Sequence, residues 1–249
     1  MEHLAHCDAL EREIGQFVSV AKDADLLSEV PACPGWDVAK LIRHQGTVHR
    51  WADWHVQNLA QERAAKSDIV IETPEVVDFV AWLADGGAAL VATLRATDPE
   101  APMWAWGADQ HVAFWSRRQA HETAIHRADL ELALGRTPSI EPSLAIDGID
   151  ELLANIPSAA YFAPNTAKLV GNGESIHLHC TDSHGEWTIT LGQAGFSWEH
   201  AHTKCDVAVR ARADQLLLLL VNRLAPSDPR FEIFGDSSLL EFWLKNSAL

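Results

Sequence analysis

The predicted fold depends on residues 115–135, which read WSRRQAHETAIHRADLELALG. This segment contains no proline, its single glycine is Gly135, and Pro138 follows shortly afterwards, as is typical of a helix and its C-terminal end. Within it, Glu122 and His126 are four residues apart. On an α-helix, side chains at this spacing lie on nearly the same face, about 6 Å apart along the axis. They can therefore reach a common metal ion, but a metal site needs a further ligand from elsewhere.

The composition is that of an ordinary globular protein, with 249 residues, 47% hydrophobic and 22% charged. This length is sufficient for one large domain or two small ones. The 19 basic and 35 acidic residues give a formal net charge of −16. Because a nucleic-acid-binding protein needs a basic surface to neutralise phosphates, this charge argues against that class.

The sequence predicts a cytoplasmic protein without a membrane segment. Residues 1–16 are charged throughout and lack the apolar core of an export signal. Even long apolar runs, such as residues 216–221, are far shorter than the roughly 20 residues that span a bilayer. The four cysteines, at positions 7, 33, 180 and 205, have no CxxC spacing, which favours reduced thiols.

Four helices are predicted before residue 138. Apolar residues recur at helical intervals in residues 2–29, 38–62 and 74–97, in addition to residues 115–135. The first of these helices is either continuous or interrupted near residues 23–25. Asp37 is a suitable N-cap for the second helix. In the third helix, adjacent glycines either permit close packing of helices or mark a kink: Gly86 and Gly87. Four helices joined by loops predict a four-helix bundle.

A small α+β domain is predicted after residue 138. A helix at residues 144–156 is followed by apolar residues at every second position from Ile176 to Cys180, with His177 and His179 between them. Further strands are predicted at residues 187–191, 195–199, 206–210 and 230–234, and further helices at residues 213–224 and 237–245. The predicted fold class is therefore α+β with two domains: a four-helix bundle at residues 1–138 and a small α+β domain with a mainly antiparallel sheet at residues 139–249.

The third metal ligand is expected on the second helix, which carries His44, His49 and His55. His44 shares a face with Leu41 and Trp51, so it is either a hydrogen-bonded core histidine or a metal ligand. His49 and His55 are predicted to lie at the surface or the rim of the bundle.

Inside a bundle, His44, Glu122 and His126 provide two imidazoles and a carboxylate, a set with open positions that is typical of catalytic zinc. Nickel, cobalt, iron or manganese would also fit, whereas imidazoles disfavour magnesium and calcium. The alternative is a surface Glu–His pair on one helix. Asp129 and His121 either orient a ligand or form ordinary hydrogen bonds. Three aromatic residues either line a pocket or only pack: Trp104, Trp106 and Trp115.

Two stretches resemble the signature segments of the mycothiol-dependent maleylpyruvate isomerase family: residues 33–52, CPGWDVAKLIRHQGTVHRWA, and residues 117–135, RRQAHETAIHRADLELALG. That family belongs to the DinB-like superfamily of metal-binding four-helix bundles. The C-terminal half is similar to the small α+β domain of the family, which resembles sterol carrier proteins. It contains VAVRARADQLLLLLVNRL at residues 207–224 and FEIFGDSSLLEFWL at residues 231–244. The resemblance thus covers nearly the whole chain.

The resemblance implies a divalent metal, usually zinc, held by one histidine of helix two and a Glu-x-x-x-His pair of helix four. Those roles fall on His44, Glu122 and His126. It also implies mycothiol as the thiol cofactor and a functional arginine in the C-terminal domain, for which Arg223 is the nearest match. Family members often have glycine before that arginine, where this chain has Asn222, so a structural ion pair is an equal interpretation of Arg223.

Three functions follow from these features. The leading hypothesis is a metal-dependent enzyme of the isomerase or S-transferase type, in which the thiolate of a low-molecular-weight thiol attacks a small electrophile. A metal-dependent hydrolase would instead activate water, with Asp129 as general base. A non-catalytic protein would bind an apolar ligand near residues 216–221, which otherwise cover the sheet. The expected partners are a small-molecule thiol and a small electrophilic substrate, without nucleic acid or membrane, and the chain is expected to be a monomer or a homodimer.

Overall fold

The computed structural model describes residues 1–65 and 68–248. The chain divides into two compact units, Met1–Ser139 and Ile140–Leu249. The first unit is helical, and the second combines helices with a mainly antiparallel sheet. The predicted fold class, a helical domain followed by an α+β domain, is confirmed.

Long helices make up most of the described part of the first unit: α1 (His3–Ala21), α2 (Val38–Gln57), α3 (Phe79–Ala96) and α4 (Val112–Ala133). Both α1 and α2 pack against α3 and α4. The apolar side chains between them include several without exposed surface: Leu10, Phe17, Leu41, Ile42, Leu83 and Leu130. Because burying one such side chain contributes about 1.5–3 kcal/mol, these contacts hold the four helices together.

The helix ends follow the local sequence. The side chain of Asp37 accepts a hydrogen bond from the backbone N–H of Lys40 at 2.7 Å, so Asp37 caps α2 as predicted. Gly135 adopts a φ of +68° just beyond α4, and Arg136 N–H donates to the carbonyl of Glu131. The first helix ends at Ala21, close to the break considered at residues 23–25 and short of residue 29, because residues 26–28 pair with the start of α2.

The two glycines of α3 permit close packing. A Cβ atom on Gly87 would lie 2.8 Å from Cδ1 of Ile14 in α1. One on Gly86 would lie 2.2 Å from Nη1 of Arg50 in α2. The helix continues through both positions, so side chains of neighbouring helices occupy the space that the glycines leave open.

The segment Val76–Ala96 is long and apolar enough to cross a membrane by length and composition alone. Within the structure, this segment packs against α1 and α2, and Leu83, Leu90 and Leu94 have no exposed surface. The core helix of a soluble protein meets the same criteria, so the absence of a membrane segment stays a prediction.

In the described part of the second unit, five strands form one sheet in the order β3-β2-β1-β4-β5. The strands are β1 (Ser175–Cys180), β2 (Glu186–Gly192), β3 (Gly195–Glu199), β4 (Val207–Ala211) and β5 (Glu232–Gly235). The central strand β1 is parallel to β4 and antiparallel to β2, and both edge strands are antiparallel to their neighbours. The helices are α5 (Pro142–Asn155), α6 (Ala213–Leu220) and α7 (Ser237–Asn246).

The leucine-rich run lies in α6, which packs against α5, β1 and β4. Leu216 and the four leucines after it are at most 1% exposed. The run therefore covers the sheet, and it presents no apolar surface that a ligand would be needed to cover.

The helix α6 ends at Leu220, four residues earlier than predicted, and Asn222 adopts a φ of +59°. Glycine adopts this left-handed conformation most easily, and asparagine is one of the few other residues that tolerate it. Asparagine therefore retains the turn before Arg223 at the position where the resemblance leads us to expect glycine.

Candidate metal centre

The structure brings His44 of α2 together with Glu122 and His126 of α4. Nε2 of His44 lies 3.7 Å from Oε1 of Glu122, and the centroids of the two imidazole rings are 5.0 Å apart. One ligand atom from each residue lies within 4.8 Å of those of the other two. Donors bound to one tetrahedral zinc ion at 2.0–2.2 Å are about 3.3 Å apart, so small side-chain rotations would let the set close on an ion.

Asp129 fixes the orientation of His126. Nδ1 of His126 donates a hydrogen bond of 2.9 Å to Oδ2 of Asp129, whose side chain is fully buried. Because a carboxylate only accepts hydrogen bonds, Nδ1 carries the hydrogen and Nε2 keeps a lone pair for a metal. The thiol of Cys33 lies 3.7 Å from the same carboxylate oxygen. Of the two predicted roles for Asp129, the geometry matches that of a residue that orients a ligand.

Glu122 is held in its charged form. Burial by itself would raise the pKa of Glu122, but the interaction with His44 and the charge of Arg118 outweigh it and lower the pKa to about 2. Nε of Arg118 lies 3.4 Å from Oε2 of Glu122, and Oε1 faces His44. The carboxylate is therefore anionic at neutral pH, as a metal ligand must be.

Trp36 covers one side of the site. Its ring centroid lies 4.8 Å from that of His44 and 6.3 Å from that of His126. A cavity of about 320 Å³ begins beside it and is lined by Trp36, Lys40, Arg43, His44, Thr47 and Thr73. Two of these residues are cationic, so an anionic molecule would be stabilised next to His44.

His49 is buried, so the predicted surface position is wrong. Its side chain has no exposed surface, because α2 packs against both α3 and α4 and buries a wider face than one apolar stripe. Nε2 of His49 accepts a hydrogen bond of 2.8 Å from Gln45 and lies 3.0 Å from Oγ1 of Thr123. Burial lowers the pKa of His49 to about 3, so the imidazole is neutral at physiological pH.

His55 is also buried, so that prediction is wrong as well, because tryptophans and a loop after α2 cover the ring. Its Nδ1 donates to the carbonyl of Trp51 at 2.7 Å, and its Nε2 accepts from the backbone N–H of Ala64 at 3.2 Å. The ring lies among tryptophans, with Trp104 at 5.4 Å and Trp115 at 6.0 Å between centroids. Two of the three tryptophans proposed from the sequence as pocket residues therefore pack in an aromatic cluster.

The other predicted residues lie outside the trio. The ring of Trp106 packs edge-on against Phe114. His121 is buried and its ring contacts that of His6, with the centroids 6.1 Å apart. Arg223 lies in the second unit, where its Nη1 donates to the carbonyl of Val221 at 2.8 Å. A catalytic role for Arg223 stays a prediction.

Sequence reasoning missed Trp36, Lys40, Arg43 and Cys33 as neighbours of the metal-binding trio. Lys40 and Arg43 lie in α2, and Cys33 and Trp36 lie in the loop before it. All four belong to residues 33–52, one of the two stretches that resemble the family. The available signal was the spacing of Lys40, which precedes His44 by four residues and therefore lies on the same face of the helix.

Comparison with known protein families shows to which family the chain belongs. The domain described as Mycothiol maleylpyruvate isomerase N-terminal domain matches residues 7–131. The domain described as MDMPI C-terminal domain matches residues 143–242. The chain belongs to the mycothiol-dependent maleylpyruvate isomerase family. No curated protein is similar to the chain at a significant level.

Solved structures agree on the fold of this family. The crystal structure of the mycothiol-dependent maleylpyruvate isomerase is 15% identical, covers 91% of each chain and has a TM-score of 0.55. The structure of a variant of that enzyme with one histidine replaced by alanine is also 15% identical, covers 90% of each chain and has a TM-score of 0.55. At this identity the likeness concerns the fold.

Proposed function

We propose that the protein is a metal-dependent enzyme that uses a low-molecular-weight thiol, mycothiol, on a small electrophilic substrate. Isomerisation of maleylpyruvate is the first candidate reaction, and S-transfer to another electrophile is the second. The observation that carries the proposal is the convergence of His44, Glu122 and His126, with Asp129 behind His126, in a member of this family.

The metal would be held by His44, Glu122 and His126, with zinc as the first candidate and nickel as the second. An ion bound by three protein ligands has open positions, and there it would lower the pKa of a coordinated thiol so that the nucleophilic thiolate predominates. Asp129 keeps the imidazole of His126 in the tautomer that can bind, and Glu122 contributes the negative charge of the site.

Two of the four cysteines, Cys7 and Cys180, are unsuited to act as the nucleophile. Burial raises the pKa of Cys7 and of Cys180 to about 11, so both remain protonated at neutral pH. A protonated thiol is a poor nucleophile. Neither Cys7 nor Cys180 would therefore supply the nucleophile, which in the proposed chemistry comes from the cofactor.

Lys40 and Arg43 would bind a carboxylate of the substrate beside His44. When bound, mycothiol would supply a nucleophilic sulfur for the cis–trans isomerisation and would be released unchanged, so the reaction would make no net change in atoms. Arg223 is a further candidate for binding a carboxylate.

The two alternatives have less support. A hydrolase needs a general base at the open metal positions, but Asp129 is buried and already accepts a hydrogen bond from His126. A non-catalytic protein that binds an apolar ligand was suggested by the leucine run, which the sheet and α5 cover. A cytoplasmic location and a monomeric or homodimeric state stay predictions.

The test combines metal analysis with an activity assay on the untagged protein. We expect His44→Ala to lose one equivalent of bound divalent metal relative to wild type, together with thiol-dependent turnover of maleylpyruvate. His111→Ala is the matched control, because His111 precedes α4, is partly exposed and lies outside the trio. Equal metal content in both variants would contradict the site, and turnover without added thiol would contradict the proposed use of mycothiol.

A further inference from the structure

A second group of metal-ligating side chains lies in the C-terminal unit. It consists of His177, His179, Glu186 and His202, and it is called here the sheet histidine cluster. One ligand atom from each of the four residues lies within 4.8 Å of those of the others. The proposed enzymatic function makes no use of these residues.

The sheet itself brings three of the four residues together. His177 and His179 are two positions apart on β1, so both project from the same face. That face is opposite to the one formed by Ile176, Leu178 and Cys180, which are buried. In the antiparallel register, His179 is directly opposite Glu186 of β2, which places the carboxylate between the two imidazoles.

The fourth residue comes from the segment that follows β3. Nδ1 of His202 lies 2.6 Å from Oε1 of Glu186, and its side chain is 74% exposed. Nδ1 of His179 is hydrogen-bonded to the same oxygen. Three imidazole rings thus surround one carboxylate oxygen, with centroids 5.1 Å apart for His177 and His202 and 6.0 Å apart for the other two pairs.

His177 distinguishes this cluster from a simple hydrogen-bonded group. Its Nε2 is buried, has no hydrogen-bond partner among the described residues and faces Oε1 of Glu186 at 3.7 Å. Leaving a buried polar atom unpaired costs about 1–3 kcal/mol. Because Glu186 already accepts from two histidines, a ligand at the centre of the cluster would satisfy all four groups at once.

We propose that His177, His179, Glu186 and His202 form a second metal site that binds zinc or another borderline divalent cation. Three imidazoles and one carboxylate are the donors that zinc, nickel, cobalt and copper prefer. Four protein ligands fill a tetrahedral zinc ion, so the site is structural and joins the segment around His202 to the sheet. A cavity of about 740 Å³, lined in part by His177, His202 and Cys205, gives an ion a route to the ligands.

The experiment uses the full-length chain with the first site removed by His44→Ala and His126→Ala. After treatment with a chelator, this protein is titrated with zinc, and we expect one equivalent to bind. Adding His202→Ala should weaken zinc binding by roughly tenfold or more, because an exposed ligand is removed without disturbing the sheet. Substitution with cobalt should give the visible absorption of tetrahedral coordination, and His202→Ala should reduce it.

The matched control is His184→Ala. His184 is an exposed histidine in the turn between β1 and β2, two residues before Glu186 and outside the cluster. This variant should bind zinc as tightly as its parent. Absence of zinc binding in the parent would overturn the proposal, as would equal zinc affinities of the His202→Ala, His179→Ala and His184→Ala proteins.

A second measurement reports on the structural role of the site. Lys204 is exposed and lies two residues after His202, so trypsin can cleave there if the segment opens. Zinc should slow this cleavage at least severalfold in the parent and in His184→Ala, but not in His202→Ala. The same cleavage rate with and without zinc in all three proteins would contradict a site that joins this segment to the sheet.

Discussion

The carboxylate of Asp129 and the imidazole of His126 form a hydrogen bond of 2.9 Å one turn apart on α4. Asp129 is fully buried, whereas His126 is only partly buried. The carboxylate thus fixes the ring from the interior and leaves the other ring nitrogen for a metal. This arrangement is common in metal sites, where such partners tune affinity as well as orientation.

Asp129→Asn should therefore lower metal affinity at the first site by about 10–100-fold. The amide can donate to Nδ1 of His126, which favours the tautomer whose Nε2 carries the hydrogen and does not bind a metal. Competition with a chromogenic chelator would measure the change. Asp109→Asn is the matched control, because Asp109 forms an exposed pair with His111 at 2.7 Å. An equally small effect of both substitutions would argue against the orienting role.

Arg127→Met should destabilise the protein by about 3–5 kcal/mol. Arg127 is 2% exposed and joins α4 to α1 through Glu13 at 2.5 Å, and it also pairs with Glu131 at 2.7 Å. Methionine would retain the volume and leave the buried carboxylate of Glu13 without its partner.

Denaturant unfolding would measure the loss, with Arg95→Met as the control. Arg95 also bonds to two carboxylates of α1, Asp8 and Glu11, but this pairing is exposed to solvent. We expect this exposed pairing to contribute much less to stability than the buried one, because solvent screens it. Similar losses for Arg127→Met and Arg95→Met would contradict the distinction drawn from burial.

Acid should destabilise the metal-free protein through His49. Its pKa is about 3 in the folded chain and 6.5 for the free side chain, so the unfolded chain binds the extra proton first. The stability that neutral His49 contributes is fully present above pH 6.5 and is lost as the pH falls toward 3. In that range, the free energy of unfolding should fall by up to about 1.4 kcal/mol per pH unit.

The pH dependence can be assigned by comparing wild type with His49→Gln. Measurement in a chelator excludes the separate effect of metal release. Between pH 6.5 and 4.5, the free energy of unfolding of wild type should fall more steeply than that of His49→Gln. Parallel curves would mean that His49 does not remain neutral in the folded protein.

Gly87→Ala should destabilise the protein by about 1–3 kcal/mol, although alanine favours helix formation. The added methyl group would meet Ile14 at 2.8 Å. Gly15→Ala on α1 is the matched control, because no atom lies within 4 Å of the new methyl group. That variant should gain up to about 1 kcal/mol, as measured by thermal or denaturant unfolding. A gain for both variants would show that α1 and α3 separate easily at Gly87.

Much of the fold and of the first site could be predicted from sequence because the decisive signals are local. The spacing of Glu122 and His126 on one helix follows from helix geometry alone. The strands were recognisable from alternation, and β3 has the predicted bounds, residues 195–199. The position of His44 next to α4 depends instead on how α2 and α4 pack, which the spacing of residues does not determine. The main support for including His44 in the site was the family resemblance.

The errors arise where tertiary contacts or the backbone conformation of a single residue decide the structure, rather than sequence periodicity. His49 and His55 were assigned to the surface because one helix face was treated as the core, whereas α2 contacts two neighbouring helices, and tryptophans and a loop cover His55. The sheet histidine cluster went unnoticed because its fourth residue, His202, approaches through a segment whose path no periodicity describes. The early end of α6 depends on the left-handed conformation of Asn222, which single-residue propensity predicts only weakly.

The concentration of interacting side chains on α4 makes this helix sensitive to changes in its length. Glu122, His126, Arg127 and Asp129 lie within about two turns, and each faces a different neighbour at a defined angle. An insertion or deletion of one residue between Glu122 and Asp129 would rotate one half of this set by about 100° relative to the other. A change of length in this part of α4 should therefore break the metal site or the buried ion pair, whereas a substitution elsewhere on the helix leaves their spacing intact.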